Sequence, residues 1–298
     1  MPNFDTARLS IGEVARRTAI SPSTLRMWEI RYGFPTPCRS HGRHRRYTED
    51  ECRLLLQVRR EREGGLSMES AIANARANVR QAEHSLFAGL RLRHPGADVV
   101  VLPEPFMLAI SRALEEGMLE RAGGVLFGAF QRQQAWHVAE PRWRRAARSA
   151  HSAVVFADFA LAAHDDGLWQ VPVPRDSDLA AEWAVIHDGP TAGGCLVARE
   201  SPGNARLGRR RFEAIWSLDP SVVRDAARIA ATIACAASPD LADVVAPRLR
   251  SEPRARPSTL REASSFVNRV FVHLAALARD DATRNVSKQP VRSGAAPG

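Results

Sequence analysis

The chain has 298 residues, 45% of them hydrophobic, and a formal net charge of +9, enough apolar material for one sizeable core or two smaller ones. It holds no run of about eighteen apolar residues, and its N-terminus, MPNFDTARLS, lacks the charged-then-apolar pattern of a signal peptide, so a cytoplasmic protein without a membrane partner is expected. Cys38, Cys52, Cys195 and Cys235 lie far apart, without CxxC spacing or clustered histidines, which argues against a disulfide framework or a zinc site.

Ser10-Ile-Gly-Glu13 is a capping box that starts a helix near Ile11, turning Val14 and Ala15 inward and ending around Thr18. Ser21 as N-cap and Pro22 at the first helical position open a second helix, to about Arg31. Leu25, Trp28 and Met27 are assigned to its inner side, and Ser23, Thr24, Arg26 and Arg31 to its outer side. Two short helices with a tight turn make a helix-turn-helix, whose second helix fits a DNA major groove. After Gly33, Pro35 and Pro37, the eight residues from Arg39 to Arg46 hold four arginines and two histidines with no acid. A basic wing of Arg43, His44, Arg45, Arg46 and Tyr47 thus stands where backbone phosphates would lie. Thr48-Glu-Asp-Glu51 is a second capping box, opening a helix through Leu55 and Val58 that stops at Gly64-Gly65. Ser67 caps another, with Met68, Ala71, Ile72 and Ala75 on one face. The plainer alternative is a small helical domain with a solvated loop.

The run LSIGEVARRTAISPSTLRMWEIRYGFPTPCRSHGRHRRYTEDE resembles the winged helix-turn-helix of MerR-family transcription regulators, over about residues 9–78. Within it, Trp28-Glu29-x-Arg31-Tyr32-Gly33-x-Pro35-x-Pro37 is most similar to the subgroup containing light-responsive, cobalamin-dependent repressors. One departure is local: the family's usual Gly-Gly-His-Arg-Arg-Tyr reads Gly42-Arg43-His44-Arg45-Arg46-Tyr47 here. The resemblance implies Thr24 and Arg26 in the groove, Ser23 on phosphates, Trp28 and Arg31 bracing the helix against the backbone, and Arg43, Arg45 and Tyr47 as wing contacts. It also implies a homodimer on a double-stranded, palindromic operator.

Residues 79–97 read as a helical linker with Leu86, Phe87 and Leu90, short for a coiled coil. From about residue 98 to 240 helices alternate with some five buried strands, near 124–131, 152–159, 182–187, 194–199 and 212–216, the last three joined by short turns that imply an antiparallel run. One helix opens at Pro105, another at Glu140-Pro141, and a closing one is capped by Asp219. The expected class is therefore α+β or α/β and multidomain: a helical winged helix-turn-helix (1–78), the linker, a mixed α/β domain, and a C-terminal segment (241–298) with a linker, an amphipathic helix over 260–278 and a disordered tail from about Asp280.

No GxGxxG, GxxxxGK[ST], GxSxG or HExxH motif is present, so no catalytic residue is assigned and an enzyme is not expected; no cofactor or metal is evident either. His164-Asp-Asp-Gly167 echoes the HxxG of cobalamin-binding domains but reads as a surface turn. Asp158, in an apolar setting, needs a partner, and Trp143, Trp169, Trp183 and Trp216 read as core rather than as pocket walls. LFGAFQ (126–131), AVVFADF (153–159), EWAVIHD (182–188), CLVARE (195–200) and FEAIWSLDP (212–220) resemble the DICT sensory domain. That resemblance implies a small-molecule or signalling input and names no ligand residues. Charge fits such a division of labour: residues 1–63 hold 13 basic against 8 acidic side chains, and residues 95–240 hold 15 against 18. The rival reading is a ligand-binding or catalytic α/β domain whose basic N-terminus tethers nucleic acid or an acidic partner.

Overall fold

The computed structural model describes residues 9–39, 44–121, 123–201, 210–250 and 259–287. Both capping boxes form. In α1 (Ile11–Thr18) the Glu13 carboxylate accepts the Ser10 N–H at 2.7 Å while Ser10 Oγ accepts from Glu13 N–H, and α3 (Glu49–Glu63) repeats this with Thr48 and Glu51. Between them, α2 (Pro22–Tyr32) starts on Ser21 and ends at Gly33 in the left-handed conformation. α4 (Met68–Ala82) starts on Ser67. β3 (Arg45–Tyr47) lies antiparallel between β1 (Leu9–Ser10) and β2 (Cys38–Arg39), and this small sheet is the wing. Val14, Leu25, Tyr47, Leu55, Val58 and Ile72 form the core that fixes it to the helices. Residues 40–43, Arg43 among them, lie outside the described residues.

The expected strands appear as β5 (Val125–Phe130), β6 (Ser152–Ala157), β9 (Glu182–Asp188), β10 (Gly194–Glu200) and β11 (Arg211–Ser217). Three more join them: β4 (Val100–Pro103), β7 (Ala163–Asp165) and β8 (Leu168–Pro172). All eight form one sheet in the order β4-β11-β10-β9-β5-β6-β8-β7, parallel where β6 meets β5 and β8 and antiparallel elsewhere. Helices α5 (Leu86–Arg93), α8 (Pro220–Ala237) and α9 (Leu241–Leu249) cover one face; α6 (Glu104–Glu120), α7 (Gln133–Ala147) and α10 (Leu260–Ser287) cover the other. Strand alternation sorts the side chains, Phe127, Val154 and Ile186 to the α8 face and Leu126, Val155 and Val185 to the α6 face.

Several elements depart from expectation. α7 begins at Gln133, not at Glu140-Pro141, because the Asp158 carboxylate, just past β6, accepts the Gln133 N–H at 2.6 Å. That hydrogen bond, with Arg175 at 3.2 Å, holds Asp158 below the usual carboxylate range. Pro141 sits inside the helix. α9 was not expected; Leu241, Val245 and Leu249, four residues apart, bury one stripe despite Pro247. α5 is no free linker, since Leu86, Phe87 and Leu90 lie in the sheet's core. α10 continues through Ser287, past Ala278, so the segment from Asp280 begins as helix rather than disordered chain. The tryptophans do not gather round one cavity. Trp143 is buried edge-on to Phe130 and Trp136, Trp183 meets Phe212, Trp169 stacks on His164 and Trp216 on Phe266.

Candidate nucleic-acid interface

The outer face of α2 is built by helical spacing. Ser23, Arg26, Met27 and Ile30 are three or four residues apart, and all four are exposed, Ile30 at 82%. Met27 therefore points outward, not into the core as expected, because Leu25 and the half-buried Trp28 already occupy the inner side. Neither Ile30 nor Met27 is given an outward role by the sequence; their spacing from Ser23 and Arg26 is the signal that could have given it. At the helix start, Ser21 Oγ meets Ser23 Oγ at 2.8 Å and Thr24 Oγ1 at 2.7 Å. Three hydroxyls thus sit at the positive end of the helix dipole, a setting suited to a phosphate.

The remaining site residues divide. Arg31 is exposed, its guanidinium 5.3 Å from the Tyr32 ring centroid, and His44 is exposed at the wing. Arg45 is half-buried and already engaged: its Nε lies 2.6 Å and its Nη2 3.3 Å from the Glu29 carboxylate of α2. That hydrogen bond keeps Arg45 above its ordinary pKa. Arg46, partly exposed, has no such partner among the described residues. Tyr47 is the clearest correction. Its side chain is fully buried and burial pushes its hydroxyl up, so it anchors the wing from beneath and offers no contact surface. Trp28, packed on the same core, likewise braces the helix.

The helical unit is tied to the sheet. Arg93, at the end of α5, reaches Asp50 of α3 at 2.9 Å and Asp225 of α8 at 3.3 Å, and His94 Nε2 lies 3.0 Å from the same Asp225. At the other end of α5, the Glu182 carboxylate of β9 accepts from Leu86 N–H at 2.8 Å, Phe87 N–H at 3.3 Å and the Ser85 hydroxyl. Burial nevertheless pushes Glu182 up to about 7. The His164–Gly167 segment is the turn of the β7–β8 hairpin, with Asp166 and Gly167 both at positive φ, as a tight two-residue turn requires.

A helix-turn-helix with a basic wing, joined to a mixed sheet covered by helices on both faces, defines a two-part architecture of a DNA-binding type. Comparison with known proteins agrees with each part. Residues 9–77 match the MerR HTH family regulatory proteins, and residues 85–201 match the sensory domain of diguanylate cyclases and two-component systems, DICT. The chain thus carries a MerR-type helix-turn-helix followed by a DICT sensory domain. It is also similar to the HTH-type transcriptional repressor CarA of Myxococcus xanthus, 46% identical over 70 residues. That similarity spans 23% of this chain and 24% of the relative. Among the described residues, no helix is long and apolar enough to cross a membrane.

Proposed function

We propose that the protein is a non-enzymatic, DNA-binding transcription regulator that binds a palindromic operator as a homodimer, with its DICT domain sensing a small molecule or signal. The observation that carries this reading is the outer face of α2, where Ser23, Arg26, Met27 and Ile30 stand exposed beside a basic wing. Arg26 supplies a guanidinium for a guanine edge, and Met27 and Ile30 offer apolar contact to thymine methyl groups. Ser21, Ser23 and Thr24, with Arg31, His44 and Arg46, set the helix on phosphates. One such helix reads too few base pairs to choose a genomic site, which favours two copies on a palindrome. α10 has the surface for pairing, since Val267, Phe271 and Val272 on its outer side are exposed.

The test is recovery of an operator from random duplexes by the full chain, followed by titration at fixed salt. Arg26→Ala should cost about 1–3 kcal/mol on the operator and relax preference at one position per half-site. An equal loss on operator and random duplex reassigns Arg26 to a phosphate. Light scattering should give a dimeric full chain, and a monomer bound one-to-one to a palindrome would defeat the pairing. Tighter binding to single-stranded RNA than to any duplex would favour the tether reading instead.

A further inference from the structure

Away from the DNA-facing surface, a cavity of about 220 Å3 opens between α6, the β9–β10 turn and α10. Its walls are Leu114, Leu218 and Phe266. Gly194 lets them approach, since a Cβ there would stand 2.7 Å from Leu114 Cδ2 and 3.0 Å from Leu218 Cδ2. Three guanidiniums line it, Arg121 at the end of α6 and Arg261 and Arg269 on α10, against one carboxylate, Glu262. Glu262 is drawn back to its own helix start by Thr259 N–H and Oγ1, at 2.8 and 2.9 Å. Arg269 pairs with the exposed Glu120 at 2.8 Å, whereas Arg121 and Arg261 have no carboxylate partner among the described residues.

The cavity also holds a buried polar group in want of a partner. Strand alternation turns His187 to the same face as Trp183 and Val185, toward α6. It is only 3% exposed, and its Nε2 has no hydrogen-bond partner among the described residues. Burial pushes the imidazole down to about 4, against a backbone hydrogen bond at Gly123 and with a further push from Arg121. The ring is therefore neutral near pH 7. Nε2 is a buried polar atom without a partner among the described residues, and such atoms are normally satisfied by something.

We propose that this cavity binds a small organic anion with an apolar body, whose head group lies among Arg121, Arg261 and Arg269 and whose body carries a hydroxyl that hydrogen-bonds the His187 imidazole. The volume is below the range of drug-sized pockets and suits a metabolite of roughly ten non-hydrogen atoms. Guanidiniums grip carboxylate and phosphate alike, through paired charge-assisted hydrogen bonds. Because the three cations come from both α6 and α10, the anion relieves their mutual repulsion and fastens α10 to the sheet domain. The proposal takes its purpose from the sensory reading but its chemistry from the cavity alone.

Calorimetric titration of the full chain without DNA keeps the two readings separable. The probes are 4-hydroxybenzoate and 4-hydroxyphenyl phosphate, which offer the two head groups, with benzoate lacking the hydroxyl and phenol lacking the charge. At least one hydroxylated anion should bind, and phenol should bind at least about tenfold more weakly. The Arg121→Gln/Arg261→Gln double variant should lose about tenfold or more in affinity with its ligand-free melting temperature unchanged, and His187→Leu should abolish the hydroxyl's advantage over benzoate. The proposal is overturned if neither anion binds, if phenol binds as tightly, or if the folded double variant keeps full affinity. None of these outcomes bears on operator binding.

Discussion

Glu182 gives the domain a stability that should depend on pH in a calculable way. The carboxyl is fully buried at the start of β9, accepting from the Ser85 hydroxyl and from the first N–H groups of α5, and burial raises it from 4.5 to about 7. A folded-state pKa above the unfolded one means that the folded chain holds this proton more tightly. The contribution is therefore fully present below pH 4.5 and is lost as pH rises through about 7. At about 1.4 kcal/mol per pKa unit, the swing comes to about 3 kcal/mol. Glu182→Gln removes the titration while adding a constant offset, because an amide satisfies fewer of the α5 donors than a carboxyl does. The assay is urea unfolding of the two proteins from pH 4 to 8, read as their difference so that all other titrating groups cancel. The variant should gain on the parent by about 3 kcal/mol across that window. A difference that stays flat would mean that Glu182 is ionised in the fold at the cost of an unfolded carboxylate, and the burial argument would fail.

His187 should give the opposite sign. Its folded value of about 4 lies below 6.5, so its contribution is present above pH 6.5 and lost as pH falls through about 4; the same difference experiment with His187→Leu should show it. In the wing, Glu29 already neutralises Arg45, so Arg46→Ala should flatten the salt dependence of DNA binding by about one unit, Arg45→Ala by less, and Glu29→Ala should steepen it. Equal effects of the two arginine variants would show that Arg45 leaves Glu29 on binding. Arg93→Ala removes the side chain joining Asp50 to Asp225 and should cost about 1–3 kcal/mol, splitting one calorimetric transition into separate ones for the helical and sheet units. An unchanged single transition would show that Arg93 carries no load between them.

The sequence was most legible where a local rule suffices. The capping boxes at Ser10 and Thr48 and the Ser21-Pro22 start specify their helices through contacts three residues apart, and the strands with apolar runs were found for the same reason. The elements missed depend on distant partners. β4 exists because β11 pairs with it, from Phe212 opposite Leu102 to Ala214 opposite Val100, and its Val100 and Val101 stay exposed, so no buried run marked it. α7 starts where Asp158 reaches across from β6, which no window around Gln133 contains. At the interface, residue type and spacing placed Arg26, Ser23 and Arg31 on the outside, but not Tyr47 within. An aromatic beside arginines reads as a contact until the opposing core, Leu25 and Leu55, is known to need it.

β9 connects the linker helix, the cavity and α8. Its first residue, Glu182, caps α5, the helix whose far end carries Arg93 to the DNA-binding unit. Its last two residues turn to opposite faces, His187 to the cavity under α10 and Asp188 to the buried Arg224 of α8. Seven residues of strand span about 20 Å. β9 is paired along that length on both sides, by β5 and β10, so it cannot bend locally without breaking ladder bonds to one of them. A polar group at each end, each dependent on a partner from another layer, makes it the element that meets both the cavity and the linker helix. The alternation that buries Val185 and Ile186 on opposite faces is what sends His187 to the cavity and Glu182 to α5, so a one-residue slip in register would destroy both connections at once.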